Sequence, residues 1–558
     1  MEALSQILQA STNALSCPAS LSIGVHPKHA YLFIIETLDP NKSKALPYLA
    51  VLLILVCLGL TTRLSNHPMK TITRLPPGPS RLPLLGNIHQ IPRKDVWKCY
   101  QDWHQKFGPL IYTKFGQLEV VSVGSFRVAN DLLVKRGRKY SSRPPLRAPN
   151  RITGGLQTGI LPCGDRLQAH RALFLSIESP RVVKANDKLL DIESQQLLHE
   201  LLHPEDVEFR AAIRRYNYSV CLTLTYGRRM CSAKDELLEE LETLSSHLGE
   251  TFVQPSALMG DVFPVLDSLP RVFTPWKSLC DQLFARSIDT FESLVQHGFS
   301  RDSWNWTKSL FSLNNERYQL PRQDMLYITG TILEGAHPIE NLTEFVILAC
   351  IVHEEQARHA QKELETVVGL HRLPQFEDLE KLPYVNAFLA EVMRWRPTSP
   401  MGVPHMVVDD DLYEDYHIPK GATIIPNHWS MNFDGEIYDQ PNEFRPERWL
   451  QNPNLPENTF GFGRRMCVGQ HLARRSLLIV TSRLLWAFHI SPAVNESGSP
   501  CKVDPSDLTQ SAVMGPASLK ASFNVRSPEH LKVIQDSFKS VNFDFDFVMT
   551  RDLPERRG

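Results

Sequence analysis

Hydrophobic positions divide the chain into one long unbroken run near its start and many shorter periodic stretches after it. Between Lys44 and Arg63 lie 18 residues without a charge, among them Leu49-Ala50-Val51-Leu52-Leu53-Ile54-Leu55-Val56. A bilayer span needs about 20 apolar residues, with ~17 as the lower end. The run lacks the amphipathic period of a buried core helix. It also starts too late for a signal peptide and has no small-residue cleavage site. It therefore predicts a single transmembrane anchor over 45–62, behind an N-terminal extension over 1–44. Arg63, Lys70 and Arg74 follow it, while Lys42 and Lys44 precede it, partly offset by Glu36 and Asp39. That balance favours a cytosolic body. Residues 63–80 form a hinge ending in Pro76-Pro77-Gly78-Pro79. Consecutive prolines are stiff and cannot continue a helix.

Beyond the hinge the periods shorten. Ile111 to Phe115, Gly116-Gln117 and Leu118 to Val123 read as a β-hairpin. Val352 to Val368 carries mixed charges at helical spacing. Tyr384, Val385, Phe388, Leu389 and Val392 form an apolar helical stripe, and Leu472 to Phe488 reads as another helix. Pro-rich irregular stretches separate these elements at 396–406 and 440–456. The pattern predicts a mainly α fold with small β-sheets.

Composition narrows the function classes. Hydrophobic residues make up 42% and charged residues 22%, which fits a globular body and argues against disorder. The net charge of −1 provides no basic field for nucleic acid. The 10 cysteines show no CxxC pair or zinc spacing, and in a chain of 558 residues their irregular spacing argues against a disulfide framework. Most of them suit small buried hydrophobes. Cys467 does not.

Cys467 lies in Phe460-Gly461-Phe462-Gly463-Arg464-Arg465-Met466-Cys467-Val468-Gly469, just before a long helix. Glycines let backbone approach a flat macrocycle. Amides at a helix start stabilise a negative sulfur. An arginine beside the site can pair with a propionate. The string matches Phe-x-x-Gly-x-Arg-x-Cys-x-Gly at every fixed position and resembles the signature of the cytochrome P-450 superfamily. Glu391-Val392-Met393-Arg394 is similar to the family's Glu-x-x-Arg. Its i and i+3 side chains share a helix face. Arg448, in Phe444-Arg445-Pro446-Glu447-Arg448-Trp449, is similar to the third member of that structural knot. Gly402-Val403-Pro404-His405, Leu82-Pro83-Leu84-Leu85-Gly86-Asn87 and Phe107-Gly108-Pro109 also resemble family landmarks. The resemblance covers roughly 76–525 and is strongest to microsomal-type enzymes of fungal secondary metabolism.

The resemblance implies the P-450 fold, with a haem-thiolate catalytic domain over 81–525 and a C-terminal tail over 526–558. It implies haem b, with Cys467 as axial iron ligand and Arg171, His405, Arg465, Phe460 and Gly461 around the cofactor. Electrons would come from NADPH through a separate cytochrome P-450 reductase, with cytochrome b5 as a further partner. The location implied is the endoplasmic reticulum membrane, single-pass, with a cytosolic catalytic domain. Residues near 145–162, 250–265, 327–338, 400–406 and 508–516 would face the substrate, including Leu156, Ile160, Phe252, Phe263 and Met514. These apolar positions suit a lipophilic terpenoid, polyketide, alkaloid or fatty acid. Arg464, Arg474 and Arg475 are candidate docking contacts for the reductase. Asn217, Asn305 and Asn341 open glycosylation triplets that a cytosolic body would leave unmodified.

Two departures stand out. The family's Trp-x-x-x-Arg reads Leu167-Gln168-Ala169-His170-Arg171, so the arginine is kept and the tryptophan lost. The acid–alcohol pair of the oxygen-binding helix is missing from Glu334-Gly335-Ala336-His337-Pro338-Ile339-Glu340. The family uses that pair for proton delivery. His337 and Glu340 are the local candidates to replace it, and Pro338 predicts a kink. Three readings follow: a monooxygenase with protons from another source, a redox-neutral isomerase or dehydratase, and a haem-binding protein without turnover.

Overall fold

The computed structural model describes residues 74 to 541 apart from Gln254. The anchor expected at 45–62, the extension before it and most of the hinge lie outside the described residues. The first regular elements are α1 (Val96–Phe107) and the hairpin β1 (Leu110–Phe115) and β2 (Leu118–Val123), which pair antiparallel with Leu110 opposite Val123. Gly116 turns the hairpin at φ +57°, and a Cβ there would lie 2.4 Å from the Val262 carbonyl oxygen. Both the left-handed backbone and that close approach require glycine.

Helices then dominate: α2 (Asp165–Ile177), α3 (Asp187–Leu201), α4 (Phe209–Tyr226), α5 (Glu236–Thr251), α6 (Pro275–Ser300), α7 (Arg322–Glu334), α8 (Ala336–Val352), α9 (Glu354–Val367) and α10 (Pro383–Trp395). The stripe predicted in α10 is its buried face. Val385, Phe388, Leu389 and Val392 are all enclosed, and Pro383 starts the helix where a missing N–H costs nothing. Small strands follow: β3 (His405–Met406), β4 (Asp411–Tyr413), β5 (Tyr416–Ile418) and β6 (Thr423–Pro426). The larger sheet has the order β1-β2-β6-β3, with β2 and β6 parallel. The helix predicted over 472–488 is α11 (Gln470–Ala487), leading into β7 (Phe488–Pro492), which pairs with β8 (Ala521–Val525). The fold is mainly α with small sheets, and its largest core lies among α3, α4, α8, α10 and α11.

The helix carrying 322–352 breaks at Gly335, three residues before Pro338. The reason is the missing proline N–H, which would have bonded the Glu334 carbonyl four residues earlier. Among the described residues, this stretch is the one with the length and mean hydropathy (1.2) to cross a bilayer, but 67% of its apolar window is buried, so it is a core helix.

The segment read as a C-terminal tail contributes α12 (Pro528–Ser540) to the body. Ser527 caps it, Ile534 and His530 are buried, and His530 lies against Trp486 at 4.4 Å. The three glycosylation triplets are not accessible in the fold. Asn217, Asn305 and Asn341 are all buried, and Asn305 caps a helix while bonding the Gly298 carbonyl.

Candidate active site

Cys467 is the last residue but two before α11. Its N–H donates to the Phe460 carbonyl at 2.9 Å, closing the loop on itself. Gly461 and Gly463 hold φ of +79° and +52°. A Cβ on Gly463 would meet the Leu133 carbonyl oxygen at 2.5 Å, so the loop also packs on the segment before it. Cys467 is solvent-accessible, yet its thiol is pushed up by burial beneath surrounding protein, with the Gly469 amide and Arg171 pulling it down and Glu178 pushing it up.

Positive charge gathers near the Cys467 loop. Arg465 donates to the Ser141 and Leu161 carbonyls, both at 2.6 Å. Arg171 reaches the Met466 carbonyl at 3.3 Å. Arg143, which sequence reasoning missed, is buried and donates to the carbonyls of Gly159, Val403 and Pro404. Burial holds the Arg143 guanidinium well below its usual range, and Arg465 and Arg171 add to that depression. No carboxylate pairs with any of these three arginines among the described residues. His405 bonds the Tyr140 carbonyl at 2.9 Å and is held neutral by burial and by Arg143. Close by in sequence, Gly402 approaches buried His428, whose Nε2 has no partner among the described residues. Three guanidiniums without a protein anion among the described residues, of which Arg171 acts on the Cys467 thiol, fit a cofactor that carries acid groups and takes a sulfur ligand. No local pattern marks Arg143, because its partners are backbone carbonyls up to 261 residues away.

Behind the loop, Glu391, Arg394 and Arg448 are 0%, 3% and 4% exposed. Arg394 grips the Glu391 carboxylate with two bonds of 2.7 and 2.9 Å, and Arg448 adds one at 3.2 Å. Trp449 Nε1 and the Arg445 amide complete the carboxylate's acceptors, each at 2.9 Å. The remaining guanidinium hydrogens go to backbone carbonyls, including that of Glu443 for both arginines. Every charge is paired, as a buried ion cluster needs.

His337 and Glu340 turn elsewhere. Glu340 accepts from Arg214 Nε on α4 at 3.1 Å, and Arg214 also pairs with Glu242. His337 approaches Glu340 at only 4.0 Å. The acid on this helix that faces the loop before α2 is Glu334, which accepts from Gln157 Nε2 at 2.9 Å and is pushed up to about 7 by burial. A small cavity of about 20 Å³ adjoins it, lined by residues such as Leu244, Leu283, Phe291 and Tyr327. It has room for one water. It touches neither the Cys467 loop nor the five apolar pocket residues expected from sequence. Two of the three docking arginines are engaged within the protein: Arg474 pairs with Glu457 at 2.6 Å and lies over the Phe460 ring, and Arg475 pairs with Asp187.

The family model for cytochrome P450 matches residues 76–521. The chain belongs to the cytochrome P450 family. Members of this family carry a thiolate-ligated haem and receive electrons from a reductase, with NADPH as the usual donor. Among curated proteins the chain is similar to cytochrome P450 monooxygenase FrzL of Cladobotryum sp, 39% identical over 90% of this chain and 97% of the relative. It is also similar to cytochrome P450 monooxygenase drtD of Aspergillus calidoustus, 39% identical over 87% of this chain and 92% of the relative. A third, cytochrome P450 monooxygenase peniB of Penicillium patulum, is 35% identical over 84% of this chain and 88% of the relative. This P450 is a monooxygenase of the same kind.

Its buried titratable groups set a pH dependence. Burial pushes Glu340 up to about 7 and Glu344 up to about 8, from an ordinary 4.5, against the pull of Arg214 and Arg210. A carboxyl raised on folding stabilises the fold below its unfolded pKa and loses that contribution as pH rises through the folded value. His104, His353 and His428 are pushed down to about 4 by burial, so they weaken the fold below their ordinary 6.5. Urea unfolding of the apoprotein is therefore expected to be hardest near pH 6.5. Glu334 and Glu178, pushed up to about 7 and about 8, act in the same sense, so from there to pH 8.5 the stability falls by up to roughly 5 kcal/mol. A flat or rising profile over that range contradicts these assignments.

Proposed function

We propose that this P450 oxidises a lipophilic secondary metabolite, a terpenoid, polyketide or alkaloid, from the endoplasmic reticulum membrane. Cys467 is the axial ligand, and Arg143, Arg171, Arg465 and His405 hold the acid groups of haem b. The observation that carries this reading is the accessible Cys467 thiol beside Arg171, which clusters with Arg143 and Arg465, none of the three having a carboxylate partner among the described residues. When bound, the haem supplies oxygen activation, which a thiolate ligand favours. The chain's own residues orient it: the Gly469 amide and the start of α11 favour the sulfur anion, and the Glu391 knot fixes α10 behind the loop. NADPH–cytochrome P450 reductase is the electron donor, with cytochrome b5 as a second partner.

Membrane attachment is supported by the uncharged run at 45–62 and by exposed apolar side chains near the start of the body. Leu82, Leu84, Leu85 and Ile88 are exposed, as are Val265, Leu269 and Phe273. The hairpin turn at Gly116-Gln117 bridges the two groups, bonding the carbonyls of Leu85 and Val262.

One observation favours a second reading. The stretch 334–340 lacks the acid–alcohol pair that the family keeps there, and Glu340 is engaged by Arg214 on α4. Redox-neutral rearrangement or dehydration requires no proton delivery to oxygen. Deleting the gene in the native host and comparing the masses of accumulated precursor and missing product separates the two. Gain of one oxygen, or loss of two hydrogens, is the expected result. Equal masses, or loss of water alone, overturn the oxidative reading.

A further inference from the structure

Five consecutive residues, 157 to 161, lie between the short helix Arg147–Ile152 and α2, and several of their polar groups reach distant parts of the fold. Gln157 holds Glu334 at 2.9 Å, and its other amide atom accepts from the Ile160 N–H at 3.1 Å. The Gly159 carbonyl holds Arg143 at 2.9 Å, and the Leu161 carbonyl holds Arg465 at 2.6 Å. So two of the three unpaired arginines rest on this loop, and neither has a carboxylate to fix its position instead.

The loop itself is fixed at Thr158. Its hydroxyl lies 2.9 Å from His170 Nδ1, and His170 Nε2 lies 3.0 Å from Asp324 Oδ1. Arg166 donates to the same carboxylate oxygen at 2.6 Å. Thr158, His170 and Asp324 are 7%, 0% and 1% exposed. The proton positions follow from this arrangement. Burial disfavours the Asp324 carboxylate, but its bonds from Arg166 and His170 more than offset that and keep it ionised. Burial also holds His170 down in its neutral form. A neutral imidazole donates from one nitrogen only. The carboxylate takes the Nε2 hydrogen, so Nδ1 must accept from the threonine hydroxyl. One hydroxyl orientation and one imidazole tautomer satisfy all three groups.

We propose that Thr158, His170 and Asp324 form a latch joining the loop to α2 and α7, and that Thr158 is a positioning residue for Arg143 and Arg465. His170 sits directly before Arg171, in the stretch where the tryptophan of the family pattern is lost. The latch thus ties the weakened stretch of α2 to the loop that carries the other two arginines. The inference rests on the reading that these arginines hold the haem's acid groups.

Thr158→Val keeps the side-chain shape and removes the hydroxyl, whereas Thr158→Ser keeps the hydroxyl and removes the methyl. Haem transfer from the ferric holoenzyme to excess apomyoglobin reads the arginines' grip. Amide hydrogen exchange of the 156–164 peptide in the apoprotein reads the loop without haem. One buried hydrogen bond corresponds to about tenfold, so T158V is expected to speed both by that factor and T158S by less than about twofold. Unchanged rates in T158V, or equal effects of T158S and T158V, overturn the latch. Faster exchange with unchanged haem transfer also overturns it, because the loop would then not govern the arginines. A wild-type holoenzyme without a thiolate-ligated haem spectrum would instead overturn the proposed function, while the exchange measurement still decides whether the hydroxyl fixes the loop.

Discussion

Replacing Cys467 by serine is expected to leave a folded protein that makes no product and shows no thiolate-type absorption in its reduced carbon monoxide complex. A serine hydroxyl stays protonated where a cysteine thiol gives up its proton to a metal. The loop should survive, because what shapes it is backbone: the Cys467 amide bonded to Phe460 and the left-handed glycines at 461 and 463. The side chain is accessible, and such substitutions move stability by about 0.5 kcal/mol or less. Unfolding of the apoprotein should therefore match wild type while turnover drops to background. A second thiol lies in reach of the same arginines, since Cys163 Sγ is 3.9 Å from Arg465 Nη2 and is exposed. Cys163→Ser is expected to keep the spectrum. A thiolate band that persists in C467S and disappears in C163S would move the ligand to the loop before α2.

The second large effect concerns the knot behind the loop. Glu391→Gln keeps the size of the side chain but leaves Arg394 and Arg448 buried with no anion between them. Removing one partner of a buried ion cluster costs about 3–5 kcal/mol, because the remaining charge stays desolvated. Here two guanidiniums would face each other, so the upper end of that range is expected in urea unfolding, with little holoenzyme recovered. The carboxylate also accepts from Trp449 and from the Arg445 amide. An amide side chain offers one acceptor oxygen where the carboxylate offers two, so one of those donors loses its partner as well. A loss below about 1 kcal/mol would mean that backbone carbonyls alone neutralise the arginines.

The parts legible in sequence were those set by local rules. The hairpin at 110–123 is two short runs rich in apolar and β-branched residues that turn at a glycine. Helices α10 and α11 carry the apolar spacing that their buried faces need. The Cys467 loop announces itself because a glycine, an arginine, a cysteine and a second glycine must stand at fixed offsets to shape one turn. Even the break near Pro338 was readable, though it falls at Gly335, because a proline disrupts the bond formed by the carbonyl four residues before it.

What the sequence by itself determined, then, is the family, the glycine-rich loop of Cys467 and the Glu391–Arg394 pair, since each depends on residues within one turn or one motif. Only the tertiary structure decided which charges share a site. Arg143 and Arg465 are held by carbonyls of one loop, Gly159 and Leu161, a partner that every residue offers and no pattern marks. Thr158, His170 and Asp324 come together from three separate elements, with no spacing rule between them. Glu340, a neighbour of the expected oxygen site in sequence, pairs with Arg214 on α4, and His337 lies 4.0 Å from Glu340, because a helix directs each side chain by its angle around the axis. The segment after 525 became part of the body because Ile534 and His530 find a buried surface against α3 and α11. Burial of that kind depends on what the rest of the chain brings alongside, and local pattern carries no record of it.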